Sequence, residues 1–408
     1  MPKKRIAIFQ YDWPLQSYSR DLALMFVNHD YHVDFLGYNL EIGDFVSKES
    51  MNHDNFEVSE LQDISSAYKN ENSVLGKLYN KITFRKYKSK TNQLFDSNHI
   101  KIDRKVLLDS YNDIKHEEYN FCVGIEKQGL IWCGLIAQKL NIPILYYSLE
   151  LYIENHPMLA SQGHLRDAEK YFHRQSKATL IQDQFRKKAL FEANEVNNDA
   201  IYLPVSVPGP IIKKKSSFLH EKFNIPNNKK IALFFGGMAP QRYCEEIIQA
   251  AQTLQDDVLV VFHGFEMIDG YIQVLKKADV KNKIIFSLDK LPEEQITYIL
   301  CSADIGFAIY SNDNANDRYT AFSSQKIALF LKHGIPIVSN HNESYTKLFN
   351  EFRCGVSISE NTTTLEALNT ILSDLEEYRL ASFLAFDKYF NLTHLEEDFM
   401  VGVSKIFH

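Results

Sequence analysis

Short apolar runs recur along this chain and alternate with stretches of helical period. The first set comprises Arg5 to Phe9, His32 to Leu36, YNFCVGI (Tyr119–Ile125), Ile144 to Tyr147 and AIYLPV (from Ala200). Between them the apolar spacing predicts a helix near Ser19 to Asn28, a helix GLIWCGLIAQKL, and a long helical stretch from about Gly163 to Glu192, interrupted by the strand-like ATLIQ. A second set follows: KKIALFF, VLVVFHG, IIFSL, DIGFAIY, IPIVSN and CGVSIS, each with a helical pattern behind it. The last stretch, from about Leu365 to His408, reads as helical and carries Phe383, Phe386 and Phe390. Strands alternating with helices predict an α/β fold of parallel sheets covered on both faces.

The pattern falls into two halves. LPVSVPGP (Leu203 to Pro210) holds three prolines and a glycine in eight residues, a composition that suits neither helix nor central strand, so it reads as a linker. Each half is then a Rossmann-like doubly wound domain, and 408 residues are ample for two. Residues 40 to about 118 depart from the pattern, being polar and poorly punctuated. Within them GKLYNKITFRKYKSK (Gly76 to Lys90) interleaves Tyr79, Phe84 and Tyr87 with basic residues. That stretch reads either as a solvated helix or insertion, or as a face for an anionic partner such as a lipid-phosphate acceptor or the inner membrane surface.

Two units in the second half carry candidate chemistry. In KKIALFFGGMAPQRYCEEIIQAAQ a strand ends at Gly236-Gly237, a loop holds Arg242, and an amphipathic helix follows. In SSQKIALFLKHGIPIVSN the polar loop Ser323-Ser324-Gln325 opens a helix that bears Lys326, Gly334 ends it, and Pro336 leads into a strand. Such units set helix N-termini, with their unpaired N–H groups, at the carboxyl edge of a parallel sheet, where phosphate binds readily. The expected ligand is a phosphorylated nucleotide. Arg242 beside a positive helix end is unfavourable unless an anion joins it. Ser323 or Ser324 is the expected helix N-cap, with donation to phosphate as a second role. His263-Gly264 closes the strand VLVVF at the same edge, as a ligand contact or as a structural loop histidine.

Bulk properties narrow the partners. The net charge of −7 argues against a general nucleic-acid binder, which needs a basic footprint. Five widely spaced cysteines without a CxxC pair suggest neither a zinc site nor a disulfide framework, and fit buried thiols in a reducing compartment. The basic start MPKKRIAIFQYDW has too short an apolar run for a signal peptide, and no stretch reaches the roughly 18 apolar residues of a membrane span. A cytoplasmic protein is expected, with peripheral contact to the inner membrane face through 76–90 as the alternative to full solubility. NDNAND (Asn312 to Asp317) lacks the glycine and spacing of a calcium loop and reads as a flexible loop. No GxGxxG follows any strand, which argues against a dehydrogenase.

Two such domains joined by a proline linker resemble the GT-B fold of nucleotide-sugar glycosyltransferases, most closely the "group 1" family that builds bacterial surface polysaccharides. The resemblance covers nearly the whole chain. It implies two domains facing a cleft, over 1–205 and 206–385, with a C-terminal helix over 386–408 packing back on the first. It implies a nucleotide-diphosphate sugar as donor, a saccharide or lipid-linked hydroxyl acceptor, and no catalytic metal or other cofactor. Gly236 to Arg242 matches the family's strand, glycine and basic loop, so Arg242 carries over as a diphosphate ligand. The family's second basic residue falls on Gly237, so that contact is missing or supplied elsewhere. LPEEQITYILCSADIGFAIYSN and SSQKIALFLKHGIPIV resemble the segments leading into the donor pocket. The family's two glutamates, eight apart, fall on Ala321 and Leu329, neither of which replaces a carboxylate.

IPILYYSLELY resembles the acceptor-side strand and loop, where the family often has a histidine; here Ser148, Glu150 and His156 stand nearby. Glu150 is either a general base for the acceptor hydroxyl or a partner of Arg166 or Lys170. Asp12, in the loop after the first strand, is the other candidate base or a turn carboxylate beside Pro14. The donor-side set is Gly236, Gly237, Arg242, His263, Gly264, Ser323, Ser324, Gln325 and Lys326. Two rivals stand beside a transferase: a nucleotide-sugar 2-epimerase of the same fold, which needs no acceptor, and a non-catalytic partner subunit, which the missing glutamates motivate.

Overall fold

The computed structural model of the protein describes residues 4–11, 17–38, 54–61, 104–154, 156 and 165–408. Asp12 and the basic–aromatic stretch 76–90 lie outside them.

Seven strands form the first sheet: β1 (Lys4–Tyr11), β2 (Tyr31–Tyr38), β3 (Phe56–Leu61), β4 (Phe121–Ile125), β5 (Ile144–Tyr147), β6 (Ala178–Ile181) and β7 (Asp199–Tyr202). They pair in parallel in the order β3-β2-β1-β4-β5-β6-β7. Six more form the second: β8 (Lys230–Met238), β9 (Val258–Glu266), β10 (Ile284–Ser287), β11 (Ile305–Ala308), β12 (Ile337–Asn340) and β13 (Gly355–Ile358). These are parallel in the order β10-β9-β8-β11-β12-β13. The strand order reverses at β1/β4 and at β8/β11. In doubly wound sheets the crevice at such a reversal is where ligands bind.

Helices cover both faces of each sheet, which is why strand residues of both parities are apolar. Along β1, Ile6 and Ile8 enter one core while Ala7, Phe9 and Tyr11 enter the other. Along β8, Ile231 and Leu233 face one way and Ala232, Phe234 and Met238 the other. A fully buried side chain of this size stabilises by about 1.5–3 kcal/mol, so this two-sided burial dominates the fold. All five cysteines are buried and free.

The chain crosses between the domains twice, and the crossings touch. Val207 N–H donates to Phe390 O at 3.0 Å, and Leu392 N–H donates to Val207 O at 3.1 Å. Before this point helix Leu375–Tyr389 packs in the second domain, where Phe386 and Phe390 are wholly buried. Beyond it helix Leu392–Phe407 lies on the first sheet, with Phe399, Met400, Val403 and Phe407 in the core of Phe26 and Phe121. The Phe407 and Phe121 ring centres are 4.2 Å apart.

Three local features differ from the sequence expectation. The helix after β4 begins at Glu126, not Gly129, because Glu126 adopts a left-handed turn (φ 61°) that starts the helix directly from the strand. β9 continues through His263 and Gly264 to Glu266, so His263 is a strand residue. The NDNAND segment is an ordered element: Asn314 caps a short helix, Ala315–Arg318, by accepting from Asp317 N–H at 3.0 Å.

Candidate functional site

At the β8/β11 reversal β8 ends in Gly236-Gly237-Met238, one turn of 3₁₀ helix spans Pro240–Arg242, and helix Cys244–Ala251 follows. Tyr243, in left-handed backbone (φ 55°), joins the last two. This geometry aims Arg242 at the residue just beyond β11. Its guanidinium lies 4.4 Å from the centre of the Tyr310 ring, and Nη1 donates to Asp317 Oδ1 at 3.0 Å. Lys326, from helix Gln325–Lys332, reaches the same ring at 5.1 Å and Phe234 at 5.2 Å. A Cβ placed on Gly236 would lie 3.9 Å from Lys326 Cε and 4.0 Å from Nζ. Arg242, Lys326 and the Gly236 backbone therefore meet at one place.

Electrostatics there are positive. Among the described residues Asp317 is the carboxylate paired with Arg242, and no carboxylate lies at ion-pair distance from Lys326. Tyr310 reports the field. Burial pushes its phenol up, but the charges of Lys326 and Arg242 and hydrogen bonds to Ser324 and Lys326 outweigh this and leave it below its ordinary value. Gly237 brings no side chain to the site, and a Cβ there would meet the Met267 side chain at 2.8 Å.

The other donor-side residues divide. Ser324 is the N-cap residue of its helix, as expected, though its side chain makes no cap bond. Its hydroxyl is 2.9 Å from Tyr310 Oη. Ser323 Oγ donates to Tyr319 O at 3.0 Å and accepts from Arg186 Nη1 at 3.0 Å, so it too makes no cap bond and belongs to the contact between domains. Gln325 Nε2 donates to Ser17 Oγ of the first domain at 2.9 Å. His263 is 5 % exposed, bonded through Nδ1 to Ser287 Oγ at 3.0 Å and stacked on Phe235. Burial holds its pKa below the usual 6.5, so the ring is neutral at pH 7. Gly264 (φ 146°) has a packing reason: a Cβ there would come 2.0 Å from Gly236 O on the paired strand.

In the first domain, Glu150 lies in the segment after β5, where its amide, carbonyl and carboxylate are each hydrogen-bonded. Its N–H donates to Glu126 Oε1 at 2.9 Å and its carbonyl accepts from Lys127 Nζ at 3.2 Å. Its carboxylate accepts from Asn316 Nδ2, of the second domain, at 2.6 Å. Arg166, one partner expected for Glu150, pairs instead with Glu169 at 2.5 Å. His156 stacks on Tyr152 at 4.4 Å.

Sequence reasoning missed four residues that build this site. Asn316 and Asp317 were hidden in a polar segment with loop composition. Arg186, 1 % exposed, donates to Asn316 Oδ1 (3.0 Å), Asn316 O and Tyr319 O (3.3 Å each) and to Leu149 O. Glu126, 8 % exposed, accepts from Leu149 N–H at 2.6 Å as well as from Glu150 N–H. Burial, with the neighbouring Glu150 charge, lifts its pKa to about 7 against the pull of Lys127 and the two amides. A cluster with metal-ligand spacing, His32, Asp34 and Glu57, lies elsewhere on β2 and β3, and its Asp34 is already held by Arg5 at 2.6 Å and Tyr119 at 2.6 Å.

No family model and no curated protein matches the sequence. Solved structures do. Sucrose-phosphate synthase from Thermosynechococcus elongatus aligns with a TM-score of 0.69 at 11% identity over 99% of each chain. HepE of Anabaena, crystallised with UDP, aligns with a TM-score of 0.66 at 12% identity over 98% of this chain and 100% of that one. WaaG, a glycosyltransferase involved in lipopolysaccharide biosynthesis, aligns with 0.60 at 14% identity over 97% and 99%. At these identities the likeness establishes the fold. The chain has the GT-B arrangement of two parallel-sheet α/β domains.

Proposed function

We propose that the protein is a glycosyltransferase that moves a sugar from a nucleotide-diphosphate donor to a hydroxyl acceptor. The observation that carries this is the convergence of Arg242 and Lys326 on Tyr310 beside the Gly236 backbone, at the strand reversal of the second sheet. Lys326 stands in for the second basic residue that the GT-B pattern would put at Gly237. Two cations at one anion site would stabilise the diphosphate as its bond to the anomeric carbon breaks, the main electrostatic task of this reaction. The acceptor oxygen forms the new bond to that carbon, and the nucleoside diphosphate leaves with the bonding electrons. In an inverting course the acceptor proton passes to a carboxylate, and Glu150 is the candidate for that role. With Arg242 and Lys326 supplying positive charge, the reaction needs no metal. HepE is crystallised with UDP, which makes a uridine nucleotide the first donor to try. WaaG acts in lipopolysaccharide biosynthesis, which makes a saccharide or lipid-linked acceptor of the cell surface the natural class to test. No helix among the described residues is long and apolar enough to cross a membrane.

A thermal-shift panel with UDP, GDP, CDP, CMP, ADP and TDP tests the reading. A ligand at 100 times its dissociation constant adds about 2.7 kcal/mol, a shift of a few degrees. One selective nucleoside diphosphate is the expected result; no shift with any would overturn the donor site. Turnover of the matching nucleotide sugar without acceptor would turn the assignment toward an epimerase.

A second reading has its own observation. Ala321 is wholly buried and Leu329 packs against the same core, so no carboxylate stands at either position. A partner subunit that binds nucleotide without turnover is the alternative, supported if activity appears only with a co-expressed enzyme.

A further inference from the structure

The segment Asn314–Tyr319 belongs to the second domain, yet its side chains engage both. Asp317 holds Arg242 and is itself fixed by Asn314, which donates to Asp317 Oδ2 at 3.0 Å and accepts from its N–H at 3.0 Å. One residue earlier Asn316 faces the first domain. Its Nδ2 donates to Glu150 Oε2 at 2.6 Å, and its Oδ1 accepts from Leu151 N–H at 2.8 Å and Arg186 Nη2 at 3.0 Å. Both polar atoms of the Asn316 side chain are therefore engaged across the cleft, with the very segment that presents Glu150.

We infer that Asn316 and Asp317 are positioning residues that couple the donor-side arginine to closure of the cleft. The inference rests on the nucleotide-sugar reading above. The physical link is the short helix Ala315–Arg318, which carries the two residues in succession and is capped by Asn314. An anion on Arg242 steadies the guanidinium, Asp317 follows it, and Asn316 is thereby held in place for Glu150 and Arg186. Opening of the cleft breaks all three Asn316 contacts together. By linkage, whatever donor binding contributes to closure, closure returns to donor affinity. Glu150 is then set for an acceptor only when the donor cation is also set, a safeguard against transfer to water.

The test uses the full chain as wild type, Asn316→Ala and Asn316→Asp, with UDP, GDP, ADP, CDP and TDP as probes. Nucleotide affinity is read by calorimetry and the radius of gyration by small-angle X-ray scattering, with far-UV circular dichroism as the check on folding. The wild type should contract when a nucleotide binds. Asn316→Ala should have the larger radius without nucleotide, fail to contract, and bind the nucleotide about fivefold or more weakly although it touches no phosphate. Asn316→Asp keeps the size but sets a carboxylate against Glu150, and should open the cleft in the same way. Wild-type radius and wild-type affinity in both variants would overturn the coupling while leaving the donor site standing. Binding of no nucleotide by the wild type would instead overturn the donor reading, and the coupling with it.

Discussion

Arg242 lays its guanidinium 4.4 Å from the centre of the Tyr310 ring, while Lys326 approaches the same ring at 5.1 Å. Two cations are normally kept apart. Here the electron-rich ring face sits with both and offsets part of their repulsion without neutralising either. Asp317 is the one carboxylate paired with Arg242 among the described residues, so the pair keeps a net positive field open to an anion.

Each cation is expected to matter singly. Arg242→Ala should weaken binding of the preferred nucleoside diphosphate at least tenfold, about 1.4 kcal/mol. Lys326→Ala should do the same to a similar extent, and the double variant should lose less than the product, because the two share one ligand. Arg242→Lys should recover only part, since an ammonium lacks the planar fork. Calorimetry at fixed ionic strength reads all four; an unchanged affinity in Arg242→Ala would remove it from the site.

Gly264 tests the packing that shapes the carboxyl edge. A Cβ there meets Gly236 O at 2.0 Å, and φ of 146° is backbone that side chains rarely adopt. Gly264→Ala should cost about 2–4 kcal/mol by overpacking and strain together. Gly270→Ala is the comparison, since its φ is also positive (81°) but nothing lies within 4 Å of its Cβ. It should cost only about 1 kcal/mol. Urea unfolding of the two variants gives the difference.

Much of this was legible in the sequence because it follows from local rules. Strand runs, the glycines at the end of β8 and the helix opening at Gln325 are set by residues near one another in the chain. Arg242 and Lys326 could be nominated because each stands beside a strand end or a helix start. What stayed illegible depends on where the second domain sits relative to the first. Ser323 and Gln325 look like capping and phosphate groups from their neighbours, yet Arg186 and Ser17, distant in sequence, take them. Asn316 and Asp317 have loop-forming composition; Asn316 finds its partners on the first domain, and Asp317 finds Arg242, 75 residues away in the chain. Glu126 was missed because the apolar run through Ile125 masks it as a helix start.

The C-terminal helix should be indispensable to the first domain. Phe407 is 9 % exposed and stacks against Phe121, and Phe399 meets Phe26 at 5.6 Å. Phe407→Ala should destabilise by about 3–5 kcal/mol through lost burial and the cavity left behind. Denaturant unfolding checks the value. A loss under about 1 kcal/mol would mean the helix end is not fixed on the sheet.

Glu126 should give stability a readable pH dependence. Burial lifts its pKa from 4.5 to about 7 in the folded state, so between these values the folded protein binds more protons than the unfolded chain. Its contribution is therefore full below about 4.5 and is lost as pH rises through 7, by on the order of 3 kcal/mol. Burial lowers His173 and His333 to about 4, which acts in the opposite sense: their contribution is present above 6.5 and lost as pH falls toward 4. The wild-type profile mixes the two, so the variant isolates Glu126. Glu126→Gln keeps an acceptor for the Leu149 and Glu150 amides and cannot ionise. Relative to wild type it should gain stability between pH 5 and pH 7 and level off by pH 8, measured by urea unfolding across the range. A difference that does not change with pH would mean that Glu126 titrates as an ordinary carboxylate, and that Lys127 and the two amides fully offset its burial.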